Sequence, residues 1–259
     1  MSVIDIKQLS KLYGFGDATT VALDEVDLTV EQGEFIAIMG PSGSGKTTLM
    51  NILGLLDRPT TGTYKLGEKN VSRLRPNRQA KMRRDHIGFI FQSYNLLPRM
   101  SVIENVALPL AYRGIPPVTR LHRAEEMLKA VDLEDRQYYL PHQLSGGQVQ
   151  RTAVARALIN NPSIILADEP TGNLDTDNSI LIMDLLKKIH QDGHTILMVT
   201  HNPDLTKYAD RVIYLLDGHI QYDKELRKNE MVDMIAVAKA AKSAKTKKKR
   251  SRKKKVAKK

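Results

Sequence analysis

Short apolar runs alternate with longer stretches of helical periodicity along this chain. The apolar runs are strand candidates and occupy residues 35–39, 87–91, 164–167, 195–200 and 212–216. A continuous apolar run of this length is typical of a strand that a parallel sheet buries on both faces. Because helical stretches separate the runs, the pattern predicts an α/β fold in which crossover helices join parallel strands.

A glycine-rich loop lies between the first apolar run and a helical stretch. The loop reads GPSGSGKTT, and LMNILGLL continues it at helical spacing. Glycines allow the close backbone approach with which successive N–H groups surround phosphate oxygens at a helix N-terminus. In this context we expect Lys46 to reach the β- and γ-phosphates and the Thr47 hydroxyl to bind Mg²⁺. The predicted nucleotide-binding residues of the loop are Gly40, Pro41, Ser42, Gly43, Ser44, Gly45, Lys46, Thr47 and Thr48.

Two acidic residues end the apolar run at residues 164–167. Asp168 and Glu169 stand at the carboxyl end of a predicted strand, which is where α/β sheets bind ligands. We expect Asp168 to hold Mg²⁺ and Glu169 to act as general base toward the attacking water. Solvated acids at a strand end are the alternative, and the P-loop in the same chain favours catalysis.

A second glycine motif, LSGGQ, covers residues 144–148 and precedes another helical stretch. The predicted nucleotide-binding residues here are Ser145, Gly146, Gly147 and Gln148, with Ser145 as the helix cap. A chain that holds one complete phosphate cradle has little use for a second at its own nucleotide. We therefore expect a head-to-tail homodimer, formed with ATP, in which this loop closes on the partner's γ-phosphate. A plain Ser-Gly-Gly helix cap is the alternative.

With these motifs in this order, residues from about 3 to 225 resemble the ATP-binding subunit of an ABC transporter. The resemblance implies a P-loop NTPase (RecA-like) core, N-terminal antiparallel strands and a helical signature subdomain at about residues 93–160. An ABC ATP-binding domain would then occupy residues 1–225. A lysine-rich, disordered tail would occupy residues 226–259.

The resemblance also gives roles to three isolated residues. It implies that Tyr13 stacks on adenine, that Gln92 coordinates Mg²⁺ and senses the nucleotide, and that His201 contacts the γ-phosphate. Ordinary packing of the tyrosine, a surface amide and a structural histidine are the respective alternatives. The predicted catalytic residues are then Glu169, His201 and Lys46, and the predicted metal ligands are Thr47, Gln92 and Asp168.

Composition changes this interpretation little. The formal net charge is +11, but residues 239–259 hold 13 lysine and arginine residues and no acid, which leaves residues 1–238 at −2. This distribution argues against a basic groove within the fold. The tail could bind anionic lipid or RNA, or could be a solvated extension. The chain has no cysteine, which excludes disulfides and thiolate metal sites.

The stretches MNILGLLDRPTTG and FQSYNLLPRMSVIENVALPL most resemble the MacB, LolD and FtsE group of ABC ATPases. That resemblance implies a partner permease gripped by residues 93–114, and ATP hydrolysis that powers export or extraction. A cell-division-type regulatory ATPase without a transported substrate is one alternative. A soluble ABC ATPase acting on ribosomes or nucleic acid is another. Because no apolar run approaches the roughly 18 residues that cross a bilayer, we expect a cytoplasmic protein, peripheral on the cytoplasmic face of the membrane.

Overall fold

The computed structural model describes residues 1–14 and 18–226, so the predicted lysine-rich tail lies outside the described residues. The strands within these ranges are β1 (Ser2–Tyr13), β2 (Thr20–Glu31), β3 (Phe35–Met39), β4 (Thr61–Leu66), β5 (Lys69–Asn70), β6 (Ile87–Phe91), β7 (Ile164–Asp168), β8 (Thr195–Val199), β9 (Arg211–Leu216) and β10 (His219–Glu225). The α-helices are α1 (Lys46–Leu53), α2 (Pro76–His86), α3 (Val102–Tyr112), α4 (Pro117–Ala130), α5 (Gly146–Leu158) and α6 (Thr176–Gln191).

Two sheets make up the strand framework. The larger has the order β10-β9-β3-β8-β7-β6, and its strands from β9 to β6 are parallel, while β10 returns antiparallel to β9. The smaller has the order β2-β1-β4-β5 and is antiparallel. The α/β prediction is confirmed, and the predicted strands agree with the observed ones to within one residue at each end.

Apolar side chains gather into three layers. One fills the space between the two sheets and around α1, where Ile4, Ile36 and Leu49 are fully buried. A second covers the opposite face of the parallel sheet beneath α6. The third joins α3, α4 and α5. Every residue of β3 and β8 is buried, which is why these strands read as continuous apolar runs rather than alternating ones.

The helix α2 was not predicted. The sequence analysis identified the helical stretch after the P-loop and the apolar run at residues 87–91, and α2 lies between them. Its only buried residue is the polar Gln79, so no apolar periodicity marks it. The sequence nevertheless indicates where the helix begins, because Pro76 lies in the first helical turn. The N–H that proline lacks would have no intrahelical hydrogen-bond partner at that position.

The carboxylate of Asp85 joins α2 to the end of α3. Arg84 Nε donates to Asp85 Oδ1 at 2.8 Å, Arg113 Nε lies 3.3 Å from the same oxygen, and Arg84 Nη1 donates to the Tyr112 carbonyl at 2.9 Å. The hydrogen bond from Arg84 holds the pKa of Asp85 below its ordinary value, although burial opposes it. The cluster therefore ties the sheet-covering helix α2 to the α3–α5 layer.

We predict that Asp85→Asn lowers the free energy of unfolding by about 1 kcal/mol at neutral pH, because two guanidinium groups lose their anionic partner. A carboxylate with a depressed pKa stabilises the fold above its unfolded-state pKa and loses that effect as the pH falls through the folded-state value. The difference from the unsubstituted protein should therefore shrink below about pH 4. Denaturant unfolding across pH measures it, with the exposed Asp192→Asn as control, and a pH-independent difference would contradict the ion-pair explanation.

Candidate nucleotide-binding site

A cavity of about 750 Å³ opens at the carboxyl ends of β3, β7 and β8. It brings together the glycine loop, the acidic pair and His201, although the loop is more than a hundred residues from the other two in sequence. The predicted residues that line it are Gly40, Pro41, Ser42, Gly43, Gly45, Lys46, Thr47, Thr48, Asp168, Glu169 and His201. The remaining predicted loop residue, Ser44, is buried within the loop.

Two glycines of the loop are required by space and by backbone conformation. Gly45 has φ +104 and a Cβ there would lie 2.5 Å from the Ala22 carbonyl oxygen. Gly40 has φ +150, and a Cβ would collide with the Leu215 carbonyl oxygen. Neither position accepts a side chain. Gly45 then caps α1, so the first N–H groups of that helix point into the cavity without intrahelical partners.

The donors of the loop fit an anionic phosphate. The Ser44 side chain is buried, and its Oγ has no hydrogen-bond partner among the described residues. Lys46 Nζ donates to the carbonyl oxygens of Gly40 at 2.8 Å and Pro41 at 2.9 Å. An unpartnered buried hydroxyl, an ammonium and a helix N-terminus together form a cradle for negative charge.

Charges in the cavity shift one another's protonation. Burial lowers the pKa of the Lys46 ammonium, and the nearby carboxylates of Glu169 and Asp168 partly oppose that shift. Burial also raises the pKa of Asp168, Glu169 adds to the rise, and Lys46 counteracts it. Both side chains thus sit in a partly desolvated site where a bound cation or anion interacts strongly.

Glu169 and His201 form a pair at the rim of the cavity. Their Oε2 and Nδ1 atoms are 2.9 Å apart, and the histidine side chain is 71% exposed. Glu169 adopts φ +46, a left-handed conformation that is uncommon outside glycine, and its N–H donates to the Val199 carbonyl at 2.9 Å. The strand β8 therefore fixes both the backbone of Glu169 and, two residues further on, His201.

The LSGGQ segment lies away from this cavity. Ser145 is the N-cap of α5, as the sequence predicts, with its Oγ accepting from the Gln148 N–H at 3.4 Å while Gln148 Oε1 accepts from the Ser145 N–H at 2.9 Å. Ser145 and Gly146 are exposed, and Gly147 packs against Asn178 of α6. None of Ser145, Gly146, Gly147 or Gln148 lines the 750 Å³ cavity.

Gln92 also lies outside the cavity lining. Its side chain faces the loop after β7, where Nε2 is 3.4 Å from Asn173 Oδ1 and Asn173 Nδ2 donates to the Gln92 carbonyl at 2.9 Å. The same loop contacts Gln92 at Gly172, where a Cβ would lie 2.7 Å from Nε2. Gln92 therefore contacts the loop that follows Glu169 directly.

Sequence reasoning missed the residue that holds the loop after Gln92. Arg156 of α5 donates to the carbonyl oxygens of Tyr94 at 2.7 Å and Asn95 at 2.5 Å. Tyr94 and Asn95 are consecutive left-handed residues, with φ +60 and +53. Nothing in the local sequence indicates this role of Arg156, because an arginine in a predicted helix is ordinarily interpreted as a surface residue.

Tyr13 lies at the end of β1 beside the residues that follow α1. Its hydroxyl donates to Asp57 Oδ2 at 2.7 Å, and Lys11 Nζ lies 4.7 Å from the ring centroid and donates to Asp57 Oδ1 at 2.7 Å. The ring is 41% exposed and does not line the 750 Å³ cavity. Its adenine-stacking role stays a prediction.

A protein-family model described as ABC transporter matches residues 23–172, which is more than half of the chain. The chain belongs to the ABC transporter family. Its members hydrolyse ATP, and this ABC ATPase is accordingly an ATP-binding subunit. None of its helices within residues 1–14 and 18–226 is long and apolar enough to span a membrane.

Two relatives and a solved structure agree with this assignment. The chain is 48% identical over 222 residues to the uncharacterized ABC transporter ATP-binding protein YvrO of Bacillus subtilis, covering 86% of this chain and 97% of that one. It is 48% identical over 223 residues to the macrolide export ATP-binding/permease protein MacB of Rhodopseudomonas palustris, covering 86% of this chain but 34% of that protein. The ATP-binding cassette MJ0796, in a dimeric post-hydrolysis structure with ADP and Pi, matches with a TM-score of 0.80 and 44% identity, covering 86% of this chain and 99% of that one.

We predict that Gly45→Ala abolishes ATP binding by this ABC ATPase and destabilises the fold by more than the roughly 1–2 kcal/mol cost of a left-handed alanine, because the new methyl group also meets the Ala22 carbonyl. Gly67→Ala is the matched control. Gly67 has φ +57, and a Cβ there meets nothing within 4 Å.

Fluorescent ATP-analogue titration and denaturant unfolding of both variants check the prediction. The control should lose some stability and keep its affinity for the analogue. Equal loss of stability in the two variants would show that contact with Ala22 contributes nothing.

Proposed function

We propose that this ABC ATPase hydrolyses ATP to power export or extraction through a partner membrane permease. The supporting observation is the single cavity that contains the P-loop, Asp168, Glu169 and His201. A phosphate cradle beside a paired carboxylate and imidazole is an arrangement suited to phosphoryl transfer to water. The similarity to MacB, an export ATP-binding/permease protein, supports the direction of transport and the membrane partner.

Each cavity residue then has a role. The α1 N-terminus and Lys46 bind the β- and γ-phosphates. Glu169 orients the attacking water and accepts its proton, and His201, 2.9 Å from Glu169, holds that carboxylate and reaches the γ-phosphate. Tyr13 provides an aromatic face for adenine near α1.

The oxygen donors of the cavity fit Mg²⁺, which supplies charge neutralisation between phosphate oxygens when it is bound. No cluster of three or more His, Cys, Asp or Glu side chains within residues 1–14 and 18–226 could hold a metal alone. This suits a Mg²⁺ ion that a few protein oxygens share with the nucleotide. Thr47 and Asp168 would hold the ion, and Gln92 is the third proposed ligand.

The functional unit we propose is an ATP-dependent homodimer. The exposed N-terminus of α5 presents Ser145 and Gly146 away from the cavity of its own chain, so a nucleotide phosphate that contacts it would be one held by another subunit. The dimeric form of the MJ0796 cassette supports this assembly. Two ATP molecules would then be sandwiched between the P-loop of one subunit and the LSGGQ segment of the other.

A groove of about 890 Å³ supports docking of the permease. It lies between α2, β6, α3 and α5, and its apolar lining includes Phe89, Phe91, Leu108 and Tyr112. An apolar groove of this kind accepts the apolar face of an amphipathic helix. We propose that a cytoplasmic helix of the permease occupies this groove, which keeps the protein peripheral on the cytoplasmic face of the membrane.

Glu169→Gln should lower the ATPase rate by at least about a hundredfold, because an amide cannot accept the proton of the attacking water. It should retain ATP affinity and accumulate as an ATP-bound dimer. Lys46→Ala should instead weaken ATP binding, since it removes the phosphate-binding ammonium. Steady-state phosphate release, nucleotide titration and analytical ultracentrifugation separate the two effects. Hydrolysis by Glu169→Gln at the unsubstituted rate would refute the assignment of the general base.

Tyr112→Glu should abolish capture of the permease while leaving ATPase activity intact, because it places a charge in the apolar lining of the groove. The matched control is Tyr138→Glu, since Tyr138 is similarly exposed and lies outside the groove. Capture uses the Glu169→Gln background with ATP in detergent-solubilised, nuclease-treated cells, followed by mass spectrometry. An integral membrane protein retained by the control and lost by Tyr112→Glu is the expected result. Capture of ribosomal or DNA-bound proteins alone would contradict the permease assignment.

A further inference from the structure

A strongly basic segment runs from Lys69 to Arg84. It holds seven lysine and arginine residues and no acidic residue. Four of them, Arg73, Arg75, Arg78 and Lys81, are exposed on α2 and the turn before it. We call these four residues the basic face. Within the described ranges 1–14 and 18–226, no carboxylate forms an ion pair with any of them.

The neighbouring arginines of α2 behave differently. Arg83 Nη1 donates to the Leu55 carbonyl at 2.7 Å, and Arg84 is paired with Asp85. These two inward-facing side chains anchor the helix to the fold. The four residues of the basic face are therefore not the ones that anchor α2, and they remain available to an external partner.

The position of α2 indicates which partner this is. Asn77, Ala80 and Lys81 line the groove in which we propose that the permease helix binds. A membrane-embedded protein in that groove holds α2 toward the bilayer surface, so this step rests on the proposed function. Unpaired cations held there meet the negative potential of anionic lipids.

The composition of the segment argues against nucleic acid as the partner. Residues 69–84 contain no aromatic side chain on which bases could stack. The basic face is also on the exposed side of a helix rather than in a channel that could track a phosphate backbone. Lipid headgroups require neither feature, because they form a planar surface of mobile anions.

We propose that the basic face binds anionic phospholipid headgroups beside the permease. Each basic residue at an anionic surface strengthens binding about fivefold, and this effect is screened within about 8 Å at physiological ionic strength. Four residues on one face add a second, weaker contact to the docked subunit. This contact orients the subunit so that the groove faces the bilayer.

Because the chain has no cysteine, a single introduced thiol can report contact at one position. We would label Asn77→Cys in the full chain with an environment-sensitive fluorophore. Vesicles of phosphatidylcholine alone and of phosphatidylcholine mixed with phosphatidylglycerol are then added. The expected result is a blue shift with the mixed vesicles only, reversed by salt, and no shift for a label at Asp192→Cys. The lysine-rich residues 239–259 are present in both proteins, so binding through them alone would leave both labels unchanged and overturn the proposal.

A charge-matched pair of variants completes the test. Arg73→Gln, Arg75→Gln, Arg78→Gln and Lys81→Gln combined should remove the blue shift and weaken vesicle binding at least about tenfold. The control combines Arg123→Gln, Lys129→Gln, Lys187→Gln and Lys188→Gln, all exposed and outside α2, and should bind as before. Equal weakening in both variants, or a response of the label to RNA or polyglutamate but not to the mixed vesicles, would overturn the lipid assignment. ATP hydrolysis and permease capture are measured on the unsubstituted protein and on Tyr112→Glu, so they test the proposed function separately from these outcomes.

Discussion

The parallel pairing of β7 with β6 and β8 is the constraint on which the site depends. In this register Asp168 lies opposite Phe91 on one side and Val199 on the other. Gln92, Glu169 and His201 follow those three strand ends within two residues, so residues remote in sequence reach one edge of the sheet. Pairing of β3 with β8 adds the P-loop at the same edge. A slip of one residue in any of these pairs would reverse the facing of every side chain in the strand and dismantle the site.

The helix α5 connects this edge to the surface that we propose for dimer contact. Its Arg156 holds the loop after Gln92, and its buried Gln150 donates to the Pro170 carbonyl at 2.6 Å, directly after Glu169. The same helix begins at Ser145. The helix that begins with the LSGGQ segment is therefore connected to both loops of its own subunit through hydrogen bonds to backbone carbonyls. Such bonds depend on the position of the loops and tolerate changes in their side chains.

Sequence reasoning found the strands, the P-loop and the cap at Ser145 because each has a local physical signature. A run buried on both faces, a glycine forced into positive φ and a serine at a helix start can all be read without tertiary structure. It failed for α2, whose buried side chain is polar, and for Arg156, whose partners are carbonyls 61 and 62 residues away. The net charge of residues 1–238 also concealed the basic face, because acids elsewhere in that range cancel it in the sum. The basic face can be recognised only once the fold shows that these four charged side chains are exposed close together.

The position of Lys46 bears on how ATP binding is coupled to the loop. Its ammonium donates to two carbonyls of the P-loop itself, and burial makes its charge costly. A bound phosphate can replace the two carbonyl oxygens as the partner of the Lys46 ammonium. The interaction of the ammonium with a full negative charge is stronger than its interaction with two carbonyl dipoles, particularly in a partly desolvated cavity. Asp168 and Glu169 carry negative charge into the same space and would repel a nucleotide. We therefore propose that Lys46 and a divalent cation both support phosphate binding, and that the loss of either weakens nucleotide binding more than its hydrogen bonds alone would account for.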